Sequence, residues 1–110
     1  MDMLQCVALC SVGKERTVNQ DNLYLNGICK SKNEDAFFEQ DIQEAAGSYI
    51  YAVVDGMGGL CYGEDAAYTA VSELKKYVDD ERKGNKMISG RRAIQHMNQA
   101  VCILGREKKA

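Results

Sequence analysis

The chain has 110 residues, of which 45% are hydrophobic and 27% charged, with a formal net charge of −2. That length fits one domain at most, and a chain of this size can bury roughly 65% of the surface its unfolded form exposes, enough for one core. The basic residues are scattered apart from a short tail at Lys108 and Lys109, so no basic face for nucleic acid is present.

Taken in order, Leu4–Val12 alternates loosely through Val7, Leu9 and Val12 and is predicted as a strand. Gly13–Asn22 is polar and turn-rich, hence a loop. Asn22–Leu25 reads as a short strand ended by Asn26-Gly27, a hairpin dipeptide. Cys29–Ser48 is acidic. Within it, Asp35–Ala46 reads either as a short amphipathic helix carrying Phe37, Phe38 and Ile42 or as part of a long surface loop. Ser48–Val54 is β-branched, aromatic and nearly continuous, which predicts a central strand.

Two helices are expected to follow. Over Gly63–Asp80 one arc holds Ala67, Ala70, Val71, Leu74, Tyr77 and Val78, with Glu64 and Asp65 suiting the dipole of the first turn. Ser89 caps a second helix to about Leu104, with Ala93, Ile94, Met97, Ala100, Val101 and Leu104 on one face and Gly105 as its stop. Strands grouped before helices indicate an α+β fold rather than alternating α/β.

The five cysteines, Cys6, Cys10, Cys29, Cys61 and Cys102, form no CxxC pair and read as buried small hydrophobes. The odd count fits reduced thiols. The chain start lacks the basic region of a signal peptide, and no run approaches the ~20 apolar residues of a membrane span. A cytoplasmic location without membrane contact is expected.

The residues with chemical potential concentrate in two stretches. In Tyr49–Gly59 an apolar run delivers Asp55 at its end, followed by Gly56, Gly58 and Gly59. Asp-Gly is a common turn dipeptide, which is one reading of Asp55. The other is a hard-cation site, since a carboxylate and a neighbouring carbonyl such as that of Gly56 suit Mg²⁺ or Mn²⁺. In Gly13–Asn22, Arg16 is either a solvated charge or a guanidinium for bidentate phosphate capture, and Gln20 and Asp21 either organise the loop or serve the same site. The glycines match neither a Walker loop nor the Rossmann spacing, and no Ser/His/Asp or Cys/His set is present. His96, the only histidine, reads as a half-buried helix residue.

Together, Gly13-x-x-Arg16-x-x-Asn19-Gln20-Asp21-Asn22, Tyr51–Gly59 and Gly63-Glu64-x-Ala66-Ala67-x-x-Ala70-Val71 resemble the N-terminal part of a bacterial metal-dependent serine/threonine protein phosphatase of the PPM type (type 2C). The likeness runs from about Val12 to Leu104, specific at the first two motifs and generic in the helices. It implies a four-layer α-β-β-α sandwich with mainly antiparallel sheets and a centre of two Mn²⁺ or Mg²⁺ ions. By the same resemblance, Asp55 bridges the metals, the Gly56 carbonyl joins one of them and Arg16 binds the substrate phosphate. Gln20 matches a position linked to a metal through water and Asp21 the acid beside it, so the resemblance implies that both support the metals, either through water or by contacting the metal ligands. The nucleophile would be a metal-bridging water, and the substrate a phosphorylated protein.

This chain departs from the pattern at several points. Met57 stands where eukaryotic relatives carry a histidine, Leu60-Cys61-Tyr62 where many bacterial relatives carry a histidine and small residues, and Gln20 where glutamate is common. Complete members are well over twice as long and draw further aspartates from their later half. Residues 1–110 are therefore expected to form an incomplete PPM domain with little activity alone and with uncovered sheet edges prone to self-association. The alternative is a non-catalytic interaction module derived from such a domain. A third reading, a small unrelated metal-binding domain, requires the Arg16 and Asp21 matches to be chance.

Overall fold

The computed structural model describes residues 3–14, 19–32, 34–43, 49–56 and 62–109. In chain order these form β1 (Met3–Cys10), β2 (Asn22–Leu25), β3 (Ile28–Cys29), β4 (Ala36–Gln43), β5 (Tyr51–Val54), α1 (Gly63–Lys83) and α2 (Gly90–Lys109). The fold is α+β, as expected, and both of its sheets are antiparallel. It is compatible with part of an α-β sandwich. β1 and β4 make a two-stranded ribbon, and β3, β2 and β5 make a sheet in that order.

The sheet is built on β2. Asn26 and Gly27 both take positive φ, 40° and 110°, the geometry a tight hairpin turn needs and an Asn-Gly pair supplies. β3 therefore folds back on one side of β2, while β5 pairs on the other with Asn22 opposite Val54. β5 is thus an edge strand, not the central strand predicted. Its apolar run is covered on one face only: Ala52 and Val54 pack toward the helices, whereas Val53 is 88% exposed. Ser48, predicted to begin this strand, lies outside the described residues.

The acidic segment also differs from expectation. Residues 36–43 are neither helix nor loop but strand β4, paired with the whole of β1 from Cys10↔Ala36 to Met3↔Gln43. Phe38 and Ile42 are spaced for a helix turn, yet Ala36, Phe38, Gln40 and Ile42 also alternate along one strand face. The long-range partner β1 decides between the two periods. The outer ribbon face is only partly polar, with Val7, Leu9 and Phe37 each more than half exposed. The inner face looks onto β2 and β5 across a cleft of about 710 Å³.

α1 buries the predicted arc, Ala67, Ala70, Val71, Leu74, Tyr77 and Val78, and with Leu23, Tyr24, Leu25 and Ala93 these make the core. The helix continues one turn past the predicted end. Asn85 at φ 55° donates its N–H to the Arg82 carbonyl, and Lys86 donates to Glu81, a Schellman closure that satisfies the last carbonyls. In α2, Ser89 caps as predicted, its Oγ accepting the Arg92 N–H over 3.3 Å. The helix runs through Gly105 to Lys109, because a glycine weakens but need not stop a helix whose neighbours favour it. Ile94, assigned to the packed face, is 67% exposed. His96 stacks on Tyr77 at 4.9 Å between centroids. The cysteines are less buried than predicted: Cys6, Cys10 and Cys29 are half-buried and Cys102 is exposed, all four free, while Cys61 lies outside the described residues.

Candidate functional site

The two stretches singled out in the sequence meet where β5 ends, next to the start of β2 and the first turn of α1. Gly56 is the point of contact. It is buried, and its N–H donates to Asp21 Oδ1 over 3.0 Å, a bond between motifs 35 residues apart. A Cβ built on Gly56 would overlap the Gln20 carbonyl oxygen and stand 2.7 Å from the Gly63 carbonyl oxygen. Three backbones thus converge on a space that only glycine leaves open.

Asp55, the residue before, is exposed at the end of β5. Asp21 is half-buried and takes its place through an Asx turn, its N–H donating to Asn19 Oδ1 over 3.2 Å. Gln20 Nε2 donates to Glu64 Oε2 over 3.1 Å, so the loop before β2 is tied to α1. An amide at position 20 can make this contact, whereas a carboxylate there would face a second carboxylate. Glu64 therefore belongs to the same place, a role beyond that of an acid suiting the dipole of the first turn. The available signal was its position directly after Gly63 at the start of the best-patterned helix. The next acid, Asp65, binds Lys32 Nζ at 2.7 Å and so ties the chain after β3 to the same turn; that hydrogen bond holds the Lys32 ammonium above its usual pKa.

Asn22 closes the other side. It is buried, accepts the Leu23 and Lys30 N–H groups at Oδ1 and donates to the Lys30 carbonyl. This side chain fixes the course of the chain after the hairpin, with both its oxygen and its nitrogen engaged by main chain. Arg16 lies outside the described residues, as do Met57, Gly58, Gly59 and Leu60.

The assembled donors are all oxygen, the set preferred by Mg²⁺, Mn²⁺ and Ca²⁺ over softer metals. Asp21 and Glu64 bring carboxylates and Gly56 a carbonyl, the two carboxylates each holding one of the hydrogen bonds described above, and Asp55 carries a further carboxylate on the residue next to Gly56. Among the described residues no three His, Cys, Asp or Glu side chains converge in a metal-binding group. The chemistry of the donors fits a hard cation; their number falls short of a two-ion centre.

Over 75 residues the chain is 31% identical to the serine/threonine protein phosphatase PstP of Mycobacterium tuberculosis, in two strains of that organism. The match takes in 68% of this chain and 13% of the relative's length. No family model matches the chain, and no solved structure matches it significantly. The similarity to a protein phosphatase agrees with the resemblance carried by the two motifs.

Proposed function

We propose that the chain carries part of the metal- and phosphate-binding site of a PPM-type serine/threonine protein phosphatase. The observation that supports this reading most is the Asp21–Gly56 hydrogen bond at 3.0 Å, which joins the two motifs at one backbone position. In this reading Asp55 and the Gly56 carbonyl are cation ligands, Asp21 and Gln20 support them, and Arg16 receives the substrate phosphate. Divalent cations, when bound, supply an activated water and neutralise charge on the phosphoryl oxygens. The protein's own part is to present Asp55 at a strand end, to hold the Gly56 peptide in one orientation and to bring a guanidinium to a dianionic phosphoserine or phosphothreonine. Residues 1–110 then form an incomplete domain in the cytoplasm. The activity requires donors beyond those the described residues gather.

The test pairs metal binding with turnover. Titration with Mn²⁺, followed by the loss of the free-ion electron paramagnetic resonance signal, is expected to show binding that Asp55→Ala removes. Hydrolysis of p-nitrophenyl phosphate by the chain alone is expected to stay near background. Absence of any Asp55-dependent Mn²⁺ binding refutes the site. Robust turnover abolished by Asp55→Ala refutes the incomplete centre.

A second reading, an interaction module, has its own observation. Val7, Leu9 and Phe37 are exposed on the outer ribbon face, and β5 ends the sheet with Val53 uncovered. Such edges and faces favour pairing with another chain. A defined oligomer in size-exclusion chromatography that Val53→Lys reduces to monomer, with no tight Mn²⁺ binding, would favour this reading over the first.

A further inference from the structure

We propose that Asp35 is a positioning residue for the Gly56 site. It belongs to none of the motifs and precedes β4, the strand that sequence patterning left unresolved. What the site does rests on the phosphatase reading; the geometry stands apart from it.

One carboxylate oxygen of Asp35 holds two distant donors. Oδ1 accepts the Val12 N–H over 2.8 Å and the Asn19 Nδ2–H over 3.0 Å. Val12 and Asn19 flank the segment that contains Arg16, so a single group fixes both of its approaches. The ribbon enforces this placement. Cys10 stands opposite Ala36 in the ladder, which sets Val12 and Asp35 just beyond the last pair. A slip of one residue would turn every side chain of β4 to the other face and carry Asp35 away.

The contact continues inward. Asn19 is only 4% exposed, and both ends of its amide are used. Nδ2 donates to Asp35 and lies 3.3 Å from Cys10 Sγ, while Oδ1 accepts the Asp21 N–H. Asp21 in turn holds the Gly56 N–H. Three links therefore run from the start of β4 to the N–H of Gly56, the residue whose carbonyl the phosphatase reading assigns to a cation. Asp35 is exposed but Asn19 is buried, so loss of Asp35 leaves the Asn19 Nδ2 with the Cys10 sulfur as its partner and loosens the side chain that holds the Asp21 N–H. An oxygen acceptor suits the outer position because both partners are donors, a role that an asparagine oxygen can also fill.

The experiment uses the whole chain, ¹⁵N-labelled, as wild type, Asp35→Asn and Asp35→Ala. Asparagine keeps an oxygen acceptor and loses the charge; alanine loses both. Amide hydrogen exchange at Val12 and Gly56 is expected to accelerate about tenfold in Asp35→Ala and to stay within about twofold of wild type in Asp35→Asn, with the Val71 and Leu74 amides unchanged in both. Mn²⁺ affinity follows the same order, weakened several-fold by alanine and spared by asparagine. Unchanged exchange at Gly56 in Asp35→Ala overturns the proposal. So does equal loss in both variants, which would mark a charge effect, or loss spread through α1, which would mark a scaffold role. If the wild type binds no Mn²⁺, the phosphatase reading fails while the exchange data still decide the role of Asp35.

Discussion

Replacing Gly56 with alanine adds one methyl group at the point where three backbone segments meet. The new Cβ would overlap the Gln20 carbonyl oxygen, lie 2.7 Å from the Gly63 carbonyl oxygen and 3.0 Å from the Gln20 carbonyl carbon. All three neighbours are main chain, so none can rotate aside as a side chain would. Either the loop before β2 or the first turn of α1 must move, breaking the Asp21–Gly56 or Gln20–Glu64 hydrogen bond. Overpacking costs ~1–3 kcal/mol and a lost charged hydrogen bond a further ~1.5–3 kcal/mol, so a total of roughly 3 kcal/mol or more is expected. For a chain of this length that corresponds to a fall in Tm of at least about 12 °C. Circular dichroism melts of wild type and Gly56→Ala at one concentration measure it. Gly105→Ala is the control: its Cβ meets nothing within 4 Å and it lies inside α2, so the same methyl should raise stability by up to ~1 kcal/mol. A Gly56→Ala melt within 2–3 °C of wild type, about 0.5 kcal/mol, would refute the convergence of the three backbones.

Other outcomes follow from the core. Tyr24 is 1% exposed, and its buried hydroxyl has no hydrogen-bond partner among the described residues. Tyr24→Phe should therefore stabilise the fold by up to about 1 kcal/mol, read as a higher urea midpoint. Leu74→Ala empties a site only 3% exposed between the helices and sheet and should cost ~2–5 kcal/mol in the same assay. Alkaline pH should destabilise the protein. Burial pushes the Cys29 thiol above its ordinary 9.0 and the Tyr24 phenol above its ordinary 10.0. The folded chain keeps these protons where the unfolded chain has released them, so stability is full below pH 9 and declines as pH rises through and beyond it. Cys29→Ala should delay that decline to the tyrosine range.

The helices were the most legible part of the chain because their period is local. Every residue of the predicted packed arc of α1 is buried, since a run of 21 residues repeats its signal over several turns. The hairpin was equally legible, as Asn26 and Gly27 carry the turn geometry in their own chemistry. β4 was not, because Phe37-Phe38 breaks simple alternation and the strand is decided by β1, more than 25 residues earlier. The edge position of β5 was likewise hidden: an apolar run signals burial but not how many neighbours provide it. At the site, Asp55, Gly56, Gln20 and Asp21 stood out through their motifs, and the structure brings the last three together. Glu64 appears in the third motif only as a residue of the helix start and Asp35 in none, because the hydrogen bonds that recruit them join elements whose pairing no local pattern encodes.

The ribbon gives the N-terminus an importance out of proportion to its burial. Residues 3–10 are among the most exposed strands described, yet they complete the ladder that sets Asp35. A protease that clips after Cys10, or a fusion partner that crowds Met3, would leave the helices and the inner sheet folded while β4 lost its partner. Preparations trimmed in this way would show normal helical content and an altered site, so the integrity of the first ten residues is the quantity to check by mass spectrometry before any metal titration is interpreted.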